Sequence, residues 1–197
     1  MDIHILGGFL GAGKTTLLMR LVSMFSEKGK KVAIVVNEAG SVGVDGTTIK
    51  GQGYNAVELP QGCICCTLVG ALQDSLVQVV KDYTPDILII EPTGIALPDK
   101  VRDSVEAIKG RFIQYDKLDI IGMLDGPRFD IFITKKKDFY VKQLKDSDVL
   151  IVNKKDLISE DKLKEIVSWA KSEFPGMKVV PMVATTGEGV DEVFGVL

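Results

Sequence analysis

The sequence predicts an α/β fold, with a mostly parallel central sheet flanked on both faces by helices. Two observations predict it. Short apolar runs alternate with longer amphipathic stretches along the whole chain, which is the order of strand–helix–strand units. Most of the apolar runs are continuous rather than alternating, as expected of strands covered on both faces. The 197 residues are enough for one domain whose core needs no disulfide, and positions 1–197 read as a single unit.

The first predicted strand, 3–6, leads into "GGFLGAGKTT" and a helix at 14–28. Gly8, Gly13, Lys14 and Thr15 complete the pattern GxxxxGK[ST], which defines a phosphate loop. Backbone N–H groups of the loop, from Gly8 through Gly11, Ala12 and Gly13 to Thr16, curl around phosphate oxygens, and the helix N-terminus adds its positive end. Lys14 is expected to neutralise the β- and γ-phosphates and the Thr15 hydroxyl to ligate Mg²⁺. The fold class sharpens accordingly to the three-layer fold of P-loop NTPases, with a nucleoside triphosphate as ligand.

The second strand, 31–36, runs into "NEAGSVGVDG", which places Asn37, Glu38 and Asp45 on a glycine-rich loop. Either acid is a candidate to hold Mg²⁺ or to orient an attacking water. After a third strand at 56–59 comes "LPQGCICCTL", which contains all three cysteines of the chain, and then a helix at 67–83. Disulfide frameworks spread cysteines apart, adjacent Cys65 and Cys66 would pair only with strain, and an odd count leaves one thiol over. The cluster therefore points either to thiolate ligands for a soft metal or to redox chemistry.

The fourth strand, 87–90, ends in "EPTG". Glu91 is placed as a carboxylate near Mg²⁺, and Gly94 as a residue whose N–H can approach the γ-phosphate. A contact of that kind exists with GTP and is lost with GDP. A helix at 99–109 and a strand at 118–124 follow, then a helix predicted to start in the basic run Lys135-Lys136-Lys137 and to span 136–145. The sixth strand, 149–152, ends in "NKKD". NKxD is the guanine-reading pattern of GTPases: Asp156 can accept from guanine N1–H and the 2-amino group, Lys154 can pack on the base plane, and Asn153 can tie this loop to the phosphate loop. Ser159 is a predicted N-cap for a helix at 159–173. A strand at 179–182 precedes "VATTGEG", where the backbone N–H of Ala184 or Thr185 is expected at guanine O6, and a last short helix spans 190–194. GTP is favoured over ATP. With no arginine in an obvious finger position, unaided hydrolysis is expected to be slow.

Composition narrows the partners. A net charge of −3 gives no global field for nucleic acid or an anionic membrane. No apolar run approaches a bilayer span, and "MDIHILGG" lacks the basic and long apolar regions of a signal peptide. With the thiol cluster, these features favour a reducing cytoplasm as the expected location.

The ordered set GGFLGAGKTT, VVNE…GVDG, GCICC, EPTG and NKKD resembles the CobW-type GTPases, relatives of the HypB and UreG metallochaperones, from Ile3 to about Val193. That resemblance implies a GTPase that couples GTP binding and hydrolysis to the handling of a transition metal. Carried onto this chain, Cys63, Cys65 and Cys66 become ligands for Zn²⁺ or Co²⁺ on its way to a client metalloprotein or cofactor-assembly protein. Thr15, Asp45 and Glu91 fall to Mg²⁺, Lys14 to the nucleotide, and Asp156 to guanine. A nucleotide-dependent homodimer is also implied. Three departures stand out. The family's NEFGE reads Asn37-Glu38-Ala39-Gly40-Ser41, without the aromatic and the second acid. Many relatives add a C-terminal domain and histidine-rich tracts, so this chain reads as a short form. Its one histidine, His4, lies inside the first strand and is expected in the core or at a sheet edge. The readings from other classes are a thiol redox sensor or activation partner clamped by nucleotide, and a small-molecule P-loop kinase.

Overall fold

The computed structural model describes residues 1–36, 55–58 and 67–197. Seven strands form one sheet in the order β3-β2-β4-β1-β5-β6-β7, and every pairing is parallel. In chain order the strands are β1 (Asp2–Gly8), β2 (Val32–Val36), β3 (Asn55–Glu58), β4 (Ile87–Glu91), β5 (Lys117–Asp125), β6 (Val149–Asn153) and β7 (Lys178–Met182). The described helices are α1 (Lys14–Glu27), α2 (Thr67–Tyr83), α3 (Pro98–Glu106), α4 (Phe129–Leu144), α5 (Glu160–Glu173) and α6 (Val190–Phe194). The expected "mostly parallel" sheet is therefore parallel throughout its described strands.

The continuous apolar strands are those covered on both faces. Along β4, Ile87 and Ile89 enter a cluster with Leu17, Leu18 and Leu21 of α1 and Val193 of α6. Their neighbours Leu88 and Ile90 enter a second cluster with Leu76 of α2 and Val101 and Val105 of α3. A third cluster joins β5 and β6 to α4 and α5 through Leu124, Leu150, Val152, Tyr140, Leu144 and Ile166. Period-two alternation thus sends adjacent residues of one strand into different helix layers.

Two boundaries move. The helix expected at 136–145 begins at Phe129, and the lysine run lies inside it at a kink, where Lys136 adopts φ −146°. The interruption in helical patterning at those exposed lysines marks that kink rather than a start. The expected helix 99–109 is Pro98–Glu106, with proline in the first turn, where its missing N–H costs nothing. Ser159 is the N-cap of α5, its hydroxyl accepting from Lys162 N–H at 3.2 Å.

His4 is fully buried, stacked on Phe25 with 5.5 Å between ring centroids, and its Nδ1 lies 3.4 Å from Asp119 Oδ2. Lys117 Nζ approaches the same oxygen at 3.1 Å. Burial pushes the Asp119 carboxyl up, but the His4 ring and the Lys117 ammonium outweigh it and leave the pKa below the ordinary aspartate value. A depressed carboxyl contributes stability that is fully present above its unfolded pKa, about 3.9, and lost as pH falls through the folded value. The stability gap between the wild type and Asp119→Asn should therefore shrink as pH drops from 6 toward 3, read from urea midpoints across that range.

Candidate functional site

The chain winds from β1 to β2 on one side of the sheet, then crosses from β4 over β1 to β5 on the other. Ligands of open α/β sheets bind where the winding reverses, outside the carboxyl ends of the strands. A cavity of about 410 Å³ lies there, lined by the phosphate loop, Val36, the Glu91–Ile95 segment and Lys154. Its size is that of a small-molecule site.

Gly8, Gly11 and Gly13 all have positive φ, at 137°, 76° and 105°. Gly13 shows why no other residue fits: a Cβ there would lie 2.2 Å from Asn153 Nδ2. Lys14 folds back over the loop, with Nζ donating to the Gly8 carbonyl at 3.0 Å. The Thr15 hydroxyl donates to Glu91 Oε1 at 2.9 Å, so these two expected Mg²⁺ partners sit together at the cavity wall. A hydroxyl beside a carboxylate is an all-oxygen donor set of the kind Mg²⁺ takes alongside substrate phosphates. Gly94 packs against the phosphate loop so closely that a Cβ would meet Leu10 N at 2.3 Å.

Asn153, at the end of β6, is almost fully buried. Its Nδ2 donates to the Ala12 carbonyl at 2.7 Å, and its Oδ1 accepts from Ala184 N–H at 2.9 Å. The expected tie to the phosphate loop is present, and it extends to the 184–185 loop. Ala184 N–H is committed to Asn153, which leaves Thr185 as the residue of that pair with an N–H for a ligand. Lys154, in a left-handed conformation with φ 62°, donates to Gly11 O at 2.6 Å and to Asp125 Oδ2 at 2.8 Å. Asp156 is exposed, in a single 3-10 turn over Lys155–Leu157, and of the NKKD residues Lys154 is the one that lines the cavity. Glu38, Asp45, Cys63, Cys65 and Cys66 lie outside the described residues. β2 ends at Val36 on the cavity wall, paired with Glu58 at the end of β3.

Four side chains at the site went unread in the sequence. Asp125, buried at the end of β5, receives both Lys154 and Arg128. Arg128 also donates to the Leu10 carbonyl at 2.6 Å. Arg20 of α1 donates to the carbonyls of Ala184 and Thr185. Gln143 of α4, buried, donates to the carbonyls of Gly94 and Ala96 at 2.9 and 3.0 Å, holding the turn after Glu91. The available signal was "LDGPR" one residue beyond a predicted strand, where functional groups of α/β sheets gather. The contacts of Arg20 and Gln143 depend on distant segments.

Fold and site together define an α/β P-loop NTPase. Within that class the chain belongs to the CobW/HypB/UreG family, whose nucleotide-binding domain model matches residues 2–181. The zinc chaperone CobW of Sinorhizobium sp is 32% identical over 191 residues, covering 82% of this chain and 53% of that protein. The zinc chaperone YeiR of Escherichia coli (strain K12) is 31% identical over 170 residues, covering 84% of this chain and 50% of that one. This chain spans about half the length of these curated relatives. The crystal structure of the hydrogenase maturation factor HypB from Archaeoglobus fulgidus shares the fold, with a TM-score of 0.72 over 100% of this chain and 88% of that one, at 19% identity. No helix of the described residues is long and apolar enough to cross a membrane.

Replacing Asn153 by alanine strands a buried N–H at Ala184 and a buried carbonyl at Ala12. The variant should lose about 1–3 kcal/mol of stability, measured by chemical denaturation of the nucleotide-free protein.

Proposed function

We propose that this chain is a GTP-binding, slowly GTP-hydrolysing domain of metallochaperone type. In this reading it binds a transition metal, zinc first, at Cys63, Cys65 and Cys66 under control of the nucleotide, for delivery to a client protein. The observation that carries the nucleotide reading is the attachment of the NKKD loop to the phosphate loop through Asn153. Asp156 is thereby held at a set distance from the phosphate-binding N–H groups, as a reader of one base on one triphosphate requires. Relatives named as zinc chaperones support the metal reading. The order of the chain supports it too, with GCICC between β3 and α2. Cysteine thiolates suit a soft or borderline cation, and three of them leave a fourth position open for transfer.

In hydrolysis, water attacks the γ-phosphorus and the bond to the β–γ bridging oxygen breaks, releasing GDP and phosphate. Lys14 and the N–H groups of the phosphate loop stabilise the charge that develops on the transferred group and the leaving oxygen. Thr15 and Glu91, with Asp45, are the residues that would hold Mg²⁺, which would supply further neutralisation of the phosphates. Glu38 or Asp45 orients the water. Gly94 senses the γ-phosphate, and its loss on hydrolysis frees the switch loops and weakens the metal site. A homodimer formed with nucleotide bound belongs to the same reading. The side chains of Leu10 and Ile95, 78% and 57% exposed at the cavity rim, are apolar surface such a contact would cover.

Two measurements test this. Asp156→Asn replaces one acceptor by a donor, so affinity for GTP should fall by about a hundredfold while xanthosine triphosphate, whose 2-oxo group accepts, gains. Equal loss for both nucleotides would remove Asp156 from base recognition. Co²⁺ titrated into the reduced, metal-free protein should produce a thiolate charge-transfer band that tightens only with Mg²⁺ and a non-hydrolysable GTP analogue. No band in any nucleotide state would remove the cysteines from metal binding and favour the redox reading.

A further inference from the structure

Three successive carbonyls of the phosphate loop are held from one side by three side chains. Arg128 Nη2 takes Leu10 O at 2.6 Å, Lys154 Nζ takes Gly11 O at 2.6 Å, and Asn153 Nδ2 takes Ala12 O at 2.7 Å. In a trans peptide the C=O of one residue and the N–H of the next point to opposite sides, and the described chain contains no cis peptide. Drawing the Leu10 and Ala12 carbonyls toward β5 and β6 therefore turns the Gly11 and Gly13 N–H groups the other way, toward the cavity that both glycines line. The N–H between them, on Ala12, closes a turn onto Phe9 O at 3.0 Å.

Arg128 is fixed for this task. Its Nε and Nη2 reach Asp125 Oδ2 at 2.8 and 2.7 Å, its own N–H reaches Asp125 Oδ1 at 3.3 Å, and its guanidinium lies 5.3 Å from the Phe132 ring centroid. Asp125 is 1% exposed, and the same Oδ2 receives Lys154. One buried carboxylate thus sets both cations. The guanidinium also lies close to Gly11, where a Cβ would approach Nη2 to 3.0 Å.

We propose that Arg128, anchored by Asp125, is a positioning residue of the phosphate loop: it holds the Leu10 carbonyl so that the Gly11 N–H is presented to a phosphate of the bound nucleotide. This rests on the reading of the cavity as a GTP site. Arg128 acts from behind the loop and touches no phosphate itself. Its removal lets the Leu10–Gly11 peptide rotate, so a donor is lost from the cradle while the fold stays intact.

The test compares the wild type, Arg128→Met and Arg128→Lys for GDP affinity, for the phosphorus NMR shift of bound GDP, and for unfolding of the nucleotide-free protein. Arg128→Met should bind GDP about tenfold more weakly, the equivalent of one lost hydrogen bond to a charged group. The β-phosphate resonance should move, and the nucleotide-free protein should remain folded with a lowered unfolding midpoint, because the buried Asp125 keeps only Lys154 as its cation. Arg128→Lys, able to reach either Asp125 or Leu10 but not both in a fork, should fall between. Wild-type affinity in both variants overturns the proposal. A loss of affinity with an unmoved β-phosphate resonance also overturns it, because Arg128 then only supports the fold. If the wild type itself fails to bind GDP, the GTP reading of the cavity fails instead.

Discussion

The side-chain amide of Asn153 is the contact on which the arrangement of this site depends. It offers one donor and one acceptor in a fixed plane, and both are used: Nδ2 on the Ala12 carbonyl and Oδ1 on the Ala184 N–H. Three loops that leave the sheet at β1, β6 and β7 are thereby locked to one another. No other side chain of that size supplies both functions in that geometry. The lock also explains Gly13, whose missing Cβ leaves the space the Asn153 amide fills. Because the contact is buried, water cannot replace it, and its loss costs far more than a surface hydrogen bond.

Around that lock the phosphate loop is gripped in two chemically different ways. Its polar grip is the set of carbonyls held by Arg128, Lys154 and Asn153. Its apolar grip is Phe9, whose ring stacks on Phe132 at 4.4 Å and meets Tyr140 at 5.4 Å between centroids. The tyrosine is fully buried, and desolvation holds its hydroxyl far above the ordinary tyrosine pKa, so it stays neutral. A buried carboxylate such as Asp125 is tolerated because two cations compensate its lost hydration. A loop ordered before ligand arrives has little conformational entropy left to lose on binding.

The wall across the cavity is built differently. Glu91 meets Thr15 directly, Gly94 lies against Leu10, and Gln143 reaches from α4 to hold the turn that follows. The turn after Glu91 is thus tied to helix α4 by two hydrogen bonds to backbone carbonyls.

By itself the sequence determined the parallel α/β architecture, because continuous apolar strands and amphipathic helices are local patterns of period two and 3.6. It also determined the phosphate loop and the Glu91 and NKKD positions at strand ends, since each is a short motif whose spacing carries its own meaning, while the choice between core and sheet edge for His4 fell to the packed structure. Tertiary structure alone decided the roles of Asp125, Arg128, Arg20 and Gln143, because their partners lie on other loops and no local pattern encodes a contact between β5 and β1. It likewise assigned the Ala184 N–H to Asn153. It also turned the apparent helix start at the lysine run into a kink inside α4, where Phe129, Tyr140 and Leu144 pack on the sheet and carry the helix through a break in its own periodicity. Local patterns settle which elements form, and only the packed sheet brings the ends of separate strands close enough for a buried carboxylate and a single amide to organise them.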